Sequence, residues 1–248
     1  MGDKKGVDSS TMSASLTLVL PAHNEARNIE RVVASFLDVK DRADFALTIL
    51  IVDDGSSDAT GPICRKLAEY DPSVRCVHHS RNMGYGGALI SGFRASEGDY
   101  VALADADGQF DPSDFIRLLE HVASYDVVVG YRQDRADPRG RRLMGRVWSL
   151  LGRWLFKIPI RDLNCGLKVF KRSIVADLPL QCTGPGINLE LMTHIVMEGI
   201  PIKEVPCSHF PRVAGDQSGG TLRVMSQALP ELVHVWRIKH GKGPRAHA

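Results

Sequence analysis

LTILIVDDGSSD, residues 47–58, decides the fold. Leu47–Val52 carries apolar side chains on both strand parities, the mark of a strand covered on both faces of a sheet, and it runs straight into an acidic corner rich in Gly and Ser. A helix-length stretch, Ala59–Tyr70, follows. The same succession repeats outward from it. Leu16–Leu20 precedes a helix at Glu25–Val39, Val74–His78 precedes Gly84–Ser96, Tyr100–Ala104 precedes Pro112–Ser124, and Asp126–Val129 closes the series. Strands alternating with helices at this spacing predict βαβ units, hence an α/β fold with a doubly wound, mostly parallel sheet flanked by helices in a single domain. Ligands of such sheets sit beyond the carboxyl ends of the strands. Four polar corners fall there: Pro21–Glu25 (PAHNE), Asp53–Asp58 (DDGSSD), Asn82–Gly87 (NMGYGG) and Asp105–Gln109 (DADGQ).

After Gly130 the pattern loosens. Residues 132–157 are rich in Arg and end amphipathically in VWSLLGRWLFKI; a strand at Cys165–Phe170, a helix from Asn188 to Glu198 and a strand at Pro201–Val205 follow. A last helix is expected at Thr221–Lys239, with Pro230 marking a kink or a restart. The organisation read from this is a flexible tail at 1–14, a domain at 15–220 with halves at 15–130 and 131–220, and a terminal helix and tail at 221–248.

The 248 residues include 31 Lys+Arg and 29 Asp+Glu, for a formal net charge of +2. That balance argues against a dedicated nucleic-acid binder, whose domain is strongly basic. The longest apolar run, Phe45–Val52, is strand length, far short of the about 20 residues a spanning helix needs. MGDKKGVDSSTMSAS at the amino terminus has neither the apolar centre nor the cleavage site of a secretory signal, and Gly6 stands where a myristoylation signal wants Ser or Thr. A cytoplasmic protein is expected. Five scattered cysteines, never in a CxxC pair, read as reduced, mostly buried thiols, and the adjacent His78 and His79 read as a strand end.

The chemistry lies in the corners. Asp105 and Asp107 share one side of an extended segment because side chains alternate with period two, and Gln109 continues that parity with a neutral oxygen. Such oxygen ligands suit Mg²⁺ or Mn²⁺ bound together with substrate phosphates, a cation that neutralises charge on a departing diphosphate. Asp53 or Asp54 can accept a hydrogen bond from a base N–H, with Asn24 and Glu25 similarly placed. No GxGxxG follows the first strand, which speaks against a dehydrogenase, and no GxxxxGK[ST] of a phosphate-binding loop occurs. The Gly84–Gly87 run follows the third strand, where close packing explains it as well as phosphate contact does.

PAHNE, VDDGSSD, NMGYGGA, DADGQFDP, NCGLKVFKR and HFPRVAG stand in an order that resembles family-2 glycosyltransferases of GT-A fold, and among them the dolichyl- and polyprenyl-phosphate sugar transferases; the likeness covers roughly residues 15–219. It implies an inverting enzyme that takes a UDP- or GDP-sugar with a divalent metal and attaches the sugar to a lipid phosphate. Carried over by position, Pro21, Ala22, Asn24, Glu25, Asp53, Asp54, Asp105 and Ala106 match the donor pocket. Asp105, Asp107 and Gln109 match the metal and diphosphate site, with Asp107 central to catalysis, and Arg132, Arg141 and Arg212 match arginines that grip the acceptor phosphate.

Departures bear on the acceptor. Gly145 and Gly219 replace a serine and a lysine of the lipid-phosphate enzymes, and no spanning helix follows the catalytic stretch. Relatives that glycosylate hydroxyls carry a Glu-Asp pair whose Asp is the general base; Ile187 and Asn188 stand there instead. A hydroxyl nucleophile needs a base worth about 10²–10⁴-fold, and an ionised phosphate needs none. A polyprenyl phosphate is therefore the expected acceptor. The alternative is a hydroxyl of a small soluble sugar or nucleoside, with Glu190 or Asp162 as the base. Val147–Ile160, with Trp148, Leu151, Trp154, Leu155 and Phe156 on or near one face, is either a core-facing helix or a peripheral contact at the inner face of a membrane. A nucleotidyltransferase would want a glycine-rich basic first loop, and a non-catalytic sugar-nucleotide binder would have lost a metal ligand.

Overall fold

The computed structural model of the chain describes residues 14–40, 45–134, 136, 139–212, 214 and 222–241. Along it run β1 (Ala14–Ala22), α1 (Ile29–Lys40), β2 (Phe45–Asp53), α2 (Thr60–Tyr70), β3 (Val74–His78), α3 (Tyr85–Ala95), β4 (Tyr100–Leu103) and α4 (Pro112–Leu119). They are followed by β5 (Val127–Arg132), α5 (Arg139–Phe156), β6 (Lys168–Lys171), α6 (Arg172–Val175), α7 (Ile187–Met197), β7 (Ile202–Cys207) and α8 (Leu222–Lys239). The expected tail at 1–14 lies outside the described residues except for Ala14, the first residue of β1.

The strands form one sheet in the order β3-β2-β1-β4-β6-β5-β7. Strand β6 alone runs against its neighbours; β1, β2, β3 and β4 are parallel, and β5 and β7 pair parallel beyond β6. The sheet therefore turns the carboxyl ends of six strands to a single rim, where Ala22, Asp53, His78, Leu103, Arg132 and Cys207 end their strands. Because β6 is reversed, its entry, Cys165 and Gly166, reaches the same rim.

Alternation along β1 separates the two cores. Leu16, Leu18 and Leu20 face the layer of α1 and α4, whereas Val19 faces that of α3 and α7. Phe36 of α1 meets Phe115 of α4 edge to face with centroids 5.6 Å apart, and on the opposite side Phe93 of α3 meets Phe170 at 6.2 Å. Truncating such a ring to Ala costs about 3–5 kcal/mol.

Three expectations change. The strand expected at Cys165–Phe170 starts only at Lys168, because Cys165 and Gly166 belong to the rim. Pro230 lies inside one continuous α8 and starts no new helix. The Val147–Ile160 face divides: Phe156 is buried and Trp148 packs against the core, while Val147, Leu150, Trp154 and Leu155 are exposed. Among the described residues, no helix is long and apolar enough to cross a membrane.

Candidate active site

The first two corners are stitched together. Asp54 N–H donates to Ala22 O at 2.8 Å, Asn24 N–H to Ser56 Oγ at 3.0 Å, and Ser57 N–H to Asn24 Oδ1 at 2.9 Å. Asn24 takes a left-handed φ of 56°, which Asn tolerates better than most residues. Asp53 and Asp54 are both buried and already engaged. Asp53 accepts from Ser56 N–H at 3.1 Å and contacts His78 Nδ1 at 2.9 Å; those bonds outweigh burial and hold its carboxyl below the usual range. Asp54 accepts from Met83 N–H at 2.7 Å and Gly84 N–H at 2.9 Å and contacts His79 Nδ1 at 2.7 Å. The pair thus fixes the loop after β3, and the strand-end histidines are its partners. Pro21 stands beside Val52 in register, and the Ala22 and Ala106 side chains are buried in the core, leaving their backbone to the rim.

The glycine-rich corner is explained by packing. A Cβ on Gly86 would lie 2.2 Å from Cys182 O, and Gly86 N–H donates to Thr183 O at 2.9 Å. Only a hydrogen there lets α3 dock on the 182–183 backbone.

Beyond β4 the chain turns at Ala106 and Asp107 instead of staying extended; Ala106 is buried in the core, and the Asp105 and Asp107 carboxylates lie close enough for their charges to interact. Asp105 Oδ1 accepts from Tyr85 O–H at 3.2 Å, and Asp105 lies so close over Gly166 that a Cβ there would be 2.2 Å from Oδ2. Burial and then the neighbouring Asp105 charge push the Asp107 carboxyl up to about 7. Arg212 approaches with Nη1 3.6 Å from Asp107 Oδ2, donates through Nη2 to Glu25 Oε1, and donates through Nε to Ala214 O at 2.7 Å. Gln109 is buried; its Nε2 donates to Phe210 O at 2.9 Å, tying the acidic corner to the segment after β7. Two carboxylates forced together in a buried corner form a set that a hard divalent cation satisfies.

Arg132, at the carboxyl end of β5, grips Asp162 through Nε at 2.6 Å and Nη2 at 2.9 Å. The two line a cavity of about 520 Å³ together with Tyr131, Arg142, Arg146 and Arg161. Arg161 stacks over the Tyr131 ring at 4.8 Å. Sequence reasoning missed Arg142, Arg146 and Arg161, although Arg142 and Arg146 stand four apart and so share a helical face. Arg141 lies in α5 with its side chain outside the described residues, as does Gly219 altogether.

The expected bases sit elsewhere or are engaged. Glu190 is fully buried and accepts from Gln181 N–H at 3.0 Å and Cys182 N–H at 2.8 Å. Asn188 Oδ1 accepts from Lys168 Nζ at 3.0 Å, and burial lowers the pKa of that lysine.

The sequence model of Glycosyl transferase family 2 matches residues 17–178. The undecaprenyl-phosphate mannosyltransferase of Micrococcus luteus is 30% identical over 241 residues, covering 92% of this chain and 96% of the relative. Glycosyltransferase AglD of Haloferax volcanii is 35% identical over 232 residues, 89% of this chain but 37% of that longer protein. Mannosyl-3-phosphoglycerate synthase from Rubrobacter xylanophilus superposes with a TM-score of 0.73 at 18% identity, over 95% of this chain and 77% of its own. That likeness concerns the fold, which is the GT-A fold of glycosyltransferases.

Proposed function

The chain belongs to glycosyl transferase family 2 and is a glycosyltransferase, and we propose that it moves a sugar from a UDP- or GDP-sugar to a polyprenyl phosphate with inversion at the anomeric carbon. The observation that carries this reading is the arginine-lined cavity of Arg132, Arg142, Arg146 and Arg161, which opens at the strand end two places along the rim from Asp105 and Asp107. Guanidinium groups bind phosphate through a planar fork, and such charge-assisted bonds are about twice as strong as neutral ones. Asp162 is paired with Arg132, Glu190 is sealed, and Asn188 stands where hydroxyl-glycosylating relatives carry a base. An acceptor that arrives already ionised needs none of them. The name of the Micrococcus luteus relative points the same way.

Asp105 and Asp107 would hold the divalent cation, Mg²⁺ or Mn²⁺, which when bound supplies charge neutralisation for the departing nucleoside diphosphate. Glu25, Asn24 and the interlocked 53–58 corner shape the donor pocket beside them. Arg212, already in contact with Glu25 and Asp107, is placed to meet the diphosphate as well as the acceptor phosphate. The arginine cavity holds the acceptor oxygen toward the anomeric carbon on the face opposite the leaving group.

Two apolar stripes support a membrane-surface acceptor. Leu143, Val147, Leu150 and Trp154 on α5, and Leu229, Val233 and Trp236 on α8, are exposed at four- and three-residue steps. Exposed apolar stripes on a monomer mark interaction surfaces, and Arg142 and Arg146 border the first of them. Incubating the protein with labelled donor, Mn²⁺ and a short polyprenyl phosphate tests the reading. Label in the lipid-phosphate product supports it, and label only in added soluble sugars or nucleosides moves the acceptor to a hydroxyl.

A further inference from the structure

Glu190 was the first candidate for a base, and its surroundings suit a different task. Its carboxylate collects the N–H groups of Gln181 and Cys182, and Oε1 lies 3.1 Å from His234 Nε2 of α8. The Cys182 Sγ, the Glu190 carboxylate and a ring nitrogen of His234 all fall within 4.8 Å of one another. One helical turn beyond Glu190, and so on the same face of α7, His194 is 4% exposed and its Nε2 has no hydrogen-bond partner. A buried nitrogen left without a partner is costly, and this one feels the charges of Glu190 and His234.

We infer that Cys182, Glu190 and His234, with His194 one turn along α7 from Glu190, form a second cation site, for Zn²⁺ in preference to Mg²⁺ or Mn²⁺. The donor set decides the ion. Thiolate and imidazole are soft to borderline ligands that select Zn²⁺, whereas the Asp105/Asp107 corner offers only oxygens. Zinc bonds of about 2.3 Å to sulfur and about 2.0 Å to nitrogen ask these donors to draw in by on the order of 1 Å. On binding, the Cys182 thiol gives its proton to solvent and the sulfur supplies its electron pair to the ion; nothing is oxidised or reduced. His234 is 27% exposed at its side chain, which gives the ion a way in.

The site joins three parts of the chain. Cys182 belongs to the segment that packs on Gly86 at the start of α3, Glu190 to α7 and His234 to α8, where Glu231 also accepts from Gly184 N–H and Gly186 N–H at 2.7 Å each. A bound ion therefore fastens the C-terminal helix to the segment that backs the donor corner.

Cobalt titration of the chelator-treated full chain tests this, because Co²⁺ with a thiolate ligand gives a charge-transfer band in the near ultraviolet. Wild type is expected to show the band, to lose it on adding one equivalent of Zn²⁺, and to melt at a higher temperature with Zn²⁺. Cys182→Ser and His234→Gln should lose the band, while the Asp105→Asn/Asp107→Asn double variant keeps it. Should Cys182→Ser not fold by circular dichroism, His234→Gln, at the more exposed ligand, carries the comparison. No band in wild type, or a band unchanged in His234→Gln, overturns the assignment.

Discussion

Arg132 and Asp162 form a two-pronged ion pair on the wall of the arginine cavity, Nε to Oδ2 at 2.6 Å and Nη2 to Oδ1 at 2.9 Å. Asp162 is therefore read as orienting the arginine, not as taking a proton. Asp162→Asn should raise KM for the lipid phosphate and lower kcat by less than about tenfold. A loss in kcat of about 10²–10⁴-fold with KM unchanged would instead identify a general base.

Arg142 and Arg146 share a face of α5 and line the same cavity. A hydrogen bond to a charged group contributes about 1.5–3 kcal/mol. Arg142→Gln and Arg146→Gln are each expected to weaken acceptor binding roughly tenfold to a hundredfold and to leave the donor dissociation constant as it was. Initial rates over both substrates separate the two, and an equal loss in donor binding would speak against an acceptor site.

Asp107 is held with Asp105 in a buried corner that raises its carboxyl to about 7. Replacing it by Asn removes a buried like charge, so Asp107→Asn should melt at a higher temperature than wild type in cation-free buffer while losing transferase activity. Wild-type melting should rise with Mn²⁺, and the variant's should rise less. A variant that stays active would remove Asp107 from the reaction.

Lys168 is fully buried on β6, and burial lowers its pKa below the ordinary 10.5. The unfolded chain keeps the proton up to that value and the folded chain gives it up earlier. Between the two the unfolded state binds more protons, so this group makes stability rise with pH. Urea unfolding from neutral pH upward should show a steeper rise in wild type than in Lys168→Met. Parallel profiles would mean that the lysine stays charged in the fold.

The stripe of Leu143, Leu150 and Trp154 is exposed at 63%, 49% and 78%. Each such side chain gains about 1.5–3 kcal/mol when fully buried in an apolar phase. The triple Gln variant should therefore bind vesicles at least about a hundredfold more weakly, with turnover of a short, water-soluble polyprenyl phosphate unchanged. Equal sedimentation of variant and wild type with vesicles would assign the stripe elsewhere.

What the sequence carried was local. The alternation of doubly apolar strands with helices needs no distant partner, so the parallel half from β1 to β5 and its polar corners were legible within a few residues of their bounds. Strand β6 was placed to start at Cys165, whereas its ladder begins only at the buried Lys168, because Cys165 and Gly166 belong to the rim. The corners were legible as a group, and their internal bonding was not: nothing near Asp54 says that its carboxylate is taken by Met83 and Gly84, and Arg212 meets Glu25 across 187 residues of chain. Glu190 was read as a candidate base, and its burial was not legible because its partners, the Gln181 and Cys182 N–H groups and His234, lie in other segments. The arginine cavity was half visible, since Arg142 and Arg146 carry helical spacing and Arg161 joins them only through the tertiary fold.

The measurement to make first is release of nucleoside diphosphate from a panel of UDP- and GDP-sugars with Mn²⁺ or Mg²⁺, with and without a short polyprenyl phosphate, on wild type and Arg146→Gln. Transfer to a lipid phosphate predicts slow release alone, strong stimulation by the lipid phosphate, and a shift of that stimulation to higher lipid concentration in the variant. Donor that binds but turns over at one rate whether or not the lipid phosphate is present would contradict it.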